Sequence, residues 1–280
     1  MSTISTTGLV AAQKQLQTIS SNVANANTDG FKLQTAKFAS LVAADGRVAP
    51  GLGVRSLNDV TDFSQGSLRS TGRDLDLAMS GRGFFVTLPK SATTGAQSGA
   101  LPGSAVDTSI RLTRNGSFKI DKDGYVVDLN GRKLAVQGTT AGNVEPARVE
   151  FSKTVGTPPA TRTLGYSRIE LRDDGELFAI YDDNSFQSIG KVAIGDVRDP
   201  TNLRPENSTQ FSYIGSAEVP SIATSGERGR GTVLSGLLEG SNVNLTDQLV
   251  EMITAQRNYQ ANAKGISATD TMAQTLINLR

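Results

Sequence analysis

Two runs of apolar residues, one at each end of the chain, recur at alternating steps of three and four, and this spacing constrains the fold more than anything between them. Near the N-terminus the run is Leu9, Ala12, Leu16, Ile19, Val23 and Ala26, the a/d seam of a heptad helix. Asn27-Thr28-Asp29-Gly30 follows, with Gly30 available as a left-handed C-cap. The pattern predicts a helix from about Thr3 to Asn27, on the order of 37 Å long. Near the C-terminus, Leu245, Leu249, Met252, Tyr259, Ala263, Ile266, Ala273 and Ile277 share one seam, interrupted by Gln256 and Asp270. Asn242 or Asn244 is placed to cap this helix, and Asp247 and Glu251 suit the positive end of its dipole. It would run about 35 residues, roughly 50 Å. Alanines line both runs, including Ala11, Ala12, Ala24, Ala255, Ala261, Ala263 and Ala268, and allow helices to approach closely. The two helices could be core helices of a single globular body, but pairing with each other and then with other copies fits the small residues and the terminal placement better.

The middle reads differently, and the fold class expected is α+β. Phe84-Phe85-Val86-Thr87-Leu88 is a short apolar strand, and Ser117 to Ile120 leads through Asp121-Lys122-Asp123-Gly124 into Tyr125-Val126-Val127. Asn130-Gly131, the strongest short hairpin signal, precedes Lys133 to Val136. A second hairpin is expected from Ile169-Glu170-Leu171 across Asp173-Asp174-Gly175 to Leu177–Tyr181, and a further strand at Lys191 to Ile194. Such short spacings fit antiparallel β rather than βαβ crossovers. The expected division is 1–60 and 233–280 for the helical part and 61–232 for the β part. Pro89 to Ser109 and Gly156 to Thr161 read as loose excursions.

Composition narrows the chemistry. The 280 residues contain no Cys and no His, which removes disulfides, thiolate zinc sites and every His-based acid, base or ligand. Lys+Arg is 28 against Asp+Glu 27, so there is no basic excess to neutralise phosphates and no nucleic acid is expected. No run approaches ~18 apolar residues, so no membrane span is expected, and the N-terminal residues lack the pattern of a secretory signal.

Individual motifs fail as active sites. Asp121 to Gly124 invites a calcium loop, but Gly stands fourth rather than sixth, Tyr125 takes a ligand position and Arg132 falls where the Glu should be; a hairpin turn is expected. Gly226 to Gly231 lacks the Lys-Ser/Thr of a phosphate loop and reads as a hinge before the last helix. Arg73, Asp74 and Asp76 could cluster or simply lie on a solvated strand, and Asp182-Asp183 beside Asn184 reads as a turn. No catalytic residue, cofactor or metal is expected, and the chain is not read as an enzyme.

Three blocks carry a resemblance. Ile19-Ser20-Ser21-Asn22-Val23-Ala24-Asn25-Ala26-Asn27-Thr28-Asp29-Gly30-Phe31-Lys32 is similar to the N-terminal signature of the flagellar rod and hook proteins, with Ser21 where that family usually has Asn. Asp62 to Leu68, Thr71 to Ala78 and Gly81 to Val86 form the second block, and Leu238 to Leu245, Ala255 to Asn262 and Thr275 to Arg280 the third. The resemblance implies terminal helices forming an α-helical coiled-coil domain that lines a tube, with Leu9, Leu16, Ile19, Val23, Leu249, Met252, Tyr259, Ile266 and Ile277 at contacts between subunits. It implies a turn built on Asn22, Asn25, Gly30 and Phe31. It further implies copies of the chain as partners in a helical tube, together with adjoining rod and hook-junction proteins, the hook cap and the flagellar type III export apparatus, and export without a cleaved signal. The motifs look most like the hook type, although 142–164 is too short for the inserted domain that hook proteins usually carry. The alternatives are a rod subunit of the same family and, from another class, an extracellular β-sandwich binding module.

Overall fold

The computed structural model describes residues 2–41, 53–92, 110–137, 144–155, 162–207, 209–214, 221–226 and 229–278. The expected excursion at 156–161 and most of that at 89–109 lie outside the described residues. The chain divides into two compact units, one of Met1–Asn27, Lys32–Ser64 and Asn242–Arg280, the other of Thr28–Phe31 and Gln65–Ser241.

The first unit holds two helices, α1 (Ser2–Ala24) and α2 (Leu245–Asn278). Helix α1 ends before Asn27, the expected end, because Asn25 closes it: its backbone N–H and its side-chain Nδ2 both donate to the Ser21 carbonyl, at 3.1 and 2.9 Å. Gly30 is therefore not the C-cap; it stands in the turn beyond. The helices lie antiparallel in one register, with Gly8 opposite Asn262, Ser5 opposite Gly265 and Asn22 opposite Gln248. Two short antiparallel ribbons complete the unit, Gln34–Thr35 with Val60–Thr61 and Phe38–Ser40 with Val54–Ser56. No helix among the described residues is long and apolar enough to cross a membrane.

The second unit is antiparallel β with one short 3-10 turn, Pro200–Asn202. Its largest sheet runs Leu203–Pro205, Gln210–Tyr213, Arg111–Thr113, Phe84–Leu88, Lys133–Gln137, Val126–Val127, Lys119–Ile120. Phe84–Leu88 is buried along its whole length, which explains its mostly apolar sequence; its one polar side chain, Thr87, donates Oγ1 to the Arg111 carbonyl at 3.1 Å. A four-stranded meander, Ser152–Val155, Arg162–Leu171, Glu176–Tyr181 and Phe186–Lys191, packs its inner face on the same core. That core joins Leu77, Met79, Phe85, Phe118, Leu134, Ile169, Leu177 and Ile194, with Phe85 and Phe118 edge to face at 5.7 Å. The expected strand at Lys191 to Ile194 is two strand ends: Lys191 closes one, Ile194 opens Ile194–Asp196, and between them Val192 makes a single bridge to Val136 as the chain passes from the meander to the large sheet. Asp121 to Gly124 is a hairpin turn closed by Asp121 N–H to the Tyr125 carbonyl at 2.8 Å. Asp182-Asp183-Asn184 is also a turn, with Asn184 at φ 60°. Gly226 to Gly231 is not the link to the last helix, since Thr232–Ser235 and Leu237–Glu239 follow it and pair with Leu77–Ser80 and Leu68–Ser70.

Candidate assembly surface

The seam between α1 and α2 is made of small and polar side chains. Ala255 and Ala12 are buried. A Cβ on Gly8 would approach the Asn262 amide oxygen to 2.9 Å, so the backbone lies close to its neighbour there. Asn22, 1% exposed, uses both of its side-chain donors and its oxygen. Its Oδ1 accepts from Gln34 N–H at 3.1 Å, and its Nδ2 donates to the Gln34 carbonyl at 2.7 Å and to Gln248 Oε1 at 2.9 Å. One amide thus stands in for a strand partner of Gln34 and ties α1 to α2. Beside it, Asp59 receives Lys14 Nζ at 2.8 Å and Thr18 Oγ1 at 3.3 Å.

Most of the large apolar side chains of α2 are not in this seam. Leu249 is 45% exposed, Ile253 51%, Met272 62% and Ile277 73%, and Leu245, Val250 and Tyr259 are exposed as well. Met252 and Ile266 are half-buried, and on α1 Ile19 is buried while Leu9, Leu16 and Val23 are half-buried. The line that meets α1 runs through Gln248, Ala255 and Asn262, one position before the apolar line that the sequence draws through Leu249 and Ala263. Gln248 and Asn262 were legible as an equally spaced heptad line, but their polarity hid them.

The turn residues divide between the units. Within the β unit, Gly30 takes φ 74° and donates its N–H to the Glu239 carbonyl at 2.7 Å. A Cβ there would collide with the backbone of Asn115. Phe31 is buried, and so are Arg114 and Glu239. The Glu239 carboxylate accepts Gly66 N–H at 2.9 Å on Oε1 and Arg114 Nη1 at 3.0 Å on Oε2, while Arg114 Nη2 donates to the Gly81 carbonyl at 2.7 Å. Within the helical unit, Lys32, also buried, donates Nζ to the Ser64 carbonyl at 2.6 Å. Asn242 accepts Leu33 N–H at 2.7 Å and donates to the Ser64 carbonyl at 3.2 Å and to the Asp62 carbonyl at 3.0 Å. The three sequence blocks, far apart in the chain, therefore meet inside each unit. Neither Glu239 nor Arg114 stood out in the sequence; a charged residue bracketed by Leu238 and Gly240 within a strand was the available signal.

Arg73 and Asp76 approach to 3.6 Å beside the Asp76–Ser117 bridge, which places Asp76 in the β unit's packing.

The family model described as flagellar basal body rod FlgEFG protein C-terminal matches residues 234–279, and that described as flagella basal body rod protein matches residues 3–32. A flagellar basal-body rod protein FlgG of Buchnera aphidicola is 30% identical over 291 residues, covering 98% of this chain and 96% of the relative. The FlgG of Bacillus subtilis is 30% identical over 98% and 96% of the two chains. The flagellar hook protein FlgE of Escherichia coli is 26% identical over 397 residues, 98% of each chain. Rod and hook proteins of this kind are structural, not enzymes, and assemble into the axial structures of the flagellum. With such agreement from end to end, this chain belongs to the flagellar rod and hook protein family.

Proposed function

We propose that the chain is a self-assembling axial subunit whose α1 and α2 pack between copies as an α-helical coiled coil lining a tube, with the β unit outside, and that it transmits motor torque. The observation that carries this reading is the outward apolar surface of α2, Leu249, Ile253, Met272 and Ile277, left over once the polar seam with α1 is formed. An exposed set of this kind marks an interaction surface, and burying each such side chain contributes about 1.5–3 kcal/mol. Leu9, Leu16, Ile19, Val23, Met252, Tyr259 and Ile266 complete the inter-subunit set, with 1–60 and 233–280 as the inner part and 61–232 as the outer part. Adjoining rod and hook-junction proteins, the hook cap and the type III export apparatus are its further partners, and export proceeds without a cleaved signal. Electron microscopy of the concentrated protein tests this: the wild type forms tubes or rings and Leu249→Asp does not. A wild type that stays monomeric, or a Leu249→Asp chain that forms the same tubes, overturns it.

The hook type is supported by the hook-like motif blocks and by the match to the Escherichia coli hook protein along both chains. The rod type is supported by length, because the rod relatives align over 291 residues with this 280-residue chain where the hook relative needs 397. Immunogold labelling of a tagged chain in isolated flagella separates them: gold inside the basal body makes it rod, gold on the curved segment makes it hook.

A further inference from the structure

The chain contains two Asn-Gly pairs, Asn115-Gly116 and Asn130-Gly131. Without a Cβ, glycine leaves its backbone nitrogen unusually free to approach a preceding side chain. At such a pair the glycine nitrogen can attack the asparagine Cγ. A C–N bond forms, the Cγ–Nδ2 bond breaks, and ammonia leaves a five-membered imide. Water then opens the imide at either carbonyl, giving aspartate or, with the backbone rerouted through the side chain, isoaspartate. Water is the only co-reactant and nothing is oxidised or reduced.

The fold treats the two pairs differently. Asn115 is held at its backbone N–H and at its side-chain oxygen. Its N–H donates to Thr113 Oγ1 at 3.0 Å and its Oδ1 accepts Ser117 N–H at 2.9 Å. The Gly116 carbonyl accepts Leu77 N–H at 3.0 Å, and Gly116 lies so close to the Leu77 carbonyl that not even a methyl group would fit. Cyclisation there requires breaking a buried strand contact. Asn130 is exposed, at the tip of the turn between Val126–Val127 and Lys133–Gln137. Its side-chain amide has no hydrogen-bond partner among the described residues, and only the flexible end of the exposed Lys90 crosses Gly131, with Cε 2.9 Å from where a Cβ would lie. The attacking nitrogen, Gly131 N–H, is held by one bond, to the Asp128 carbonyl at 3.0 Å, in a turn also tied by Asp128 N–H to the Arg132 carbonyl at 2.8 Å; exposed turns open locally at less cost than buried strand contacts.

We propose that Asn130 is a site of spontaneous conversion to aspartate and isoaspartate, and that the fold protects Asn115 from the same chemistry. The product would alter the β unit. The buried Asp128 carboxylate accepts the N–H groups of Asn130 and Arg132, each at 2.8 Å, and Gln210 Nε2 at 2.5 Å. A new carboxylate at 130 would stand beside it, and an isoaspartate would lengthen the backbone just before Arg132, whose guanidinium holds Thr87 through its Oγ1 at 3.2 Å and its carbonyl at 3.1 Å.

The test is to age the purified full-length chain in mildly alkaline buffer and follow the two peptides by mass spectrometry, with isoaspartyl methyltransferase labelling as a second readout. In the folded chain, Asn130 should convert at least about tenfold faster than Asn115, a barrier difference of about 1.4 kcal/mol. In denaturant the two rates should converge. Asn130→Ser should remove most of the methyltransferase signal without changing the melting temperature. Equal rates in the folded chain, a faster Asn115, or labelling that persists in Asn130→Ser would overturn the proposal.

Discussion

The guanidinium of Arg114 lies 3.0 Å from the carboxylate of Glu239, and both side chains are almost wholly removed from solvent, at 5% and 0% exposure. Neither charge is tolerable alone. Removing one partner of a buried pair leaves the other uncompensated and costs about 3–5 kcal/mol, whereas replacing both by apolar groups costs much less. Arg114→Met should therefore destabilise the β unit strongly, and Arg114→Met with Glu239→Leu should be less harmful than the two single effects added. Guanidinium unfolding curves check this. Strict additivity, or single variants with wild-type midpoints, would refute the coupling.

Gly30→Val should be among the most damaging substitutions in the turn. The position needs φ 74° and has no room for a Cβ. A β-branched residue forced into this region is strained by about 1–3 kcal/mol before the collision with Asn115 is counted. A lowered melting temperature and lost assembly are expected; normal values for both would rule out the assigned geometry.

Asn22 and Gln248 should couple across the helix pair. Gln248→Ala removes the bond the two side chains share, worth about 1 kcal/mol, and Asn22→Ala removes it together with the two to Gln34; either change strands a polar group. A double-mutant cycle, read by thermal unfolding of the helical signal, should give a coupling of about 0.5–1.5 kcal/mol. A coupling indistinguishable from zero would mean the 2.9 Å contact is incidental.

Alkaline stability should depend on Tyr181. Its hydroxyl donates to the Glu150 carbonyl at 3.0 Å at the edge of the core, and burial, with the nearby Glu150 carboxylate, raises its pKa above the ordinary 10.0. A raised value means the folded chain holds the proton more tightly than the unfolded chain. The resulting stabilisation is complete below the unfolded value and is lost as pH rises through the folded one. Tyr181→Phe should lower stability at neutral pH by about 1 kcal/mol and flatten part of the loss at high pH; Tyr166, raised by burial and by the nearby Asp74, acts in the same direction. An unchanged alkaline profile would show that Tyr181 does not carry it.

Assembly should discriminate between the two units. Ile277→Asp, at an exposed apolar position of α2, should abolish tubes. Asp183→Ala, in a turn of the β unit, should leave tube length unchanged, because exposed charges contribute roughly 0–1 kcal/mol. Motility and electron microscopy score both. Tubes from Ile277→Asp, or none from Asp183→Ala, would reverse the division.

Both helices were legible because heptad spacing is a local property of each segment, and Phe84–Leu88 because a strand buried on both faces carries four large apolar residues in five. The seam partner was not legible. A line of apolar residues shows that a face is covered, not whether the cover is the same chain or another, and here the face on α1 carries Gln248 and Asn262 instead. Glu239 eluded the reading for a different reason: its meaning lies in Arg114 and Gly66, which no local window contains.

The strands near the start of the β unit, Leu68–Ser70 and Leu77–Ser80, find their partners in Leu237–Glu239 and Thr232–Ser235. A chain emerging from the ribosome therefore exposes those early strands unpaired until most of its length has been made. Completion of the β unit is gated by arrival of the last strands, and contacts so far apart in sequence make folding slow. The chain thus stays short of a finished fold for most of its synthesis, and the pairing that completes the β unit is among the last events of its manufacture.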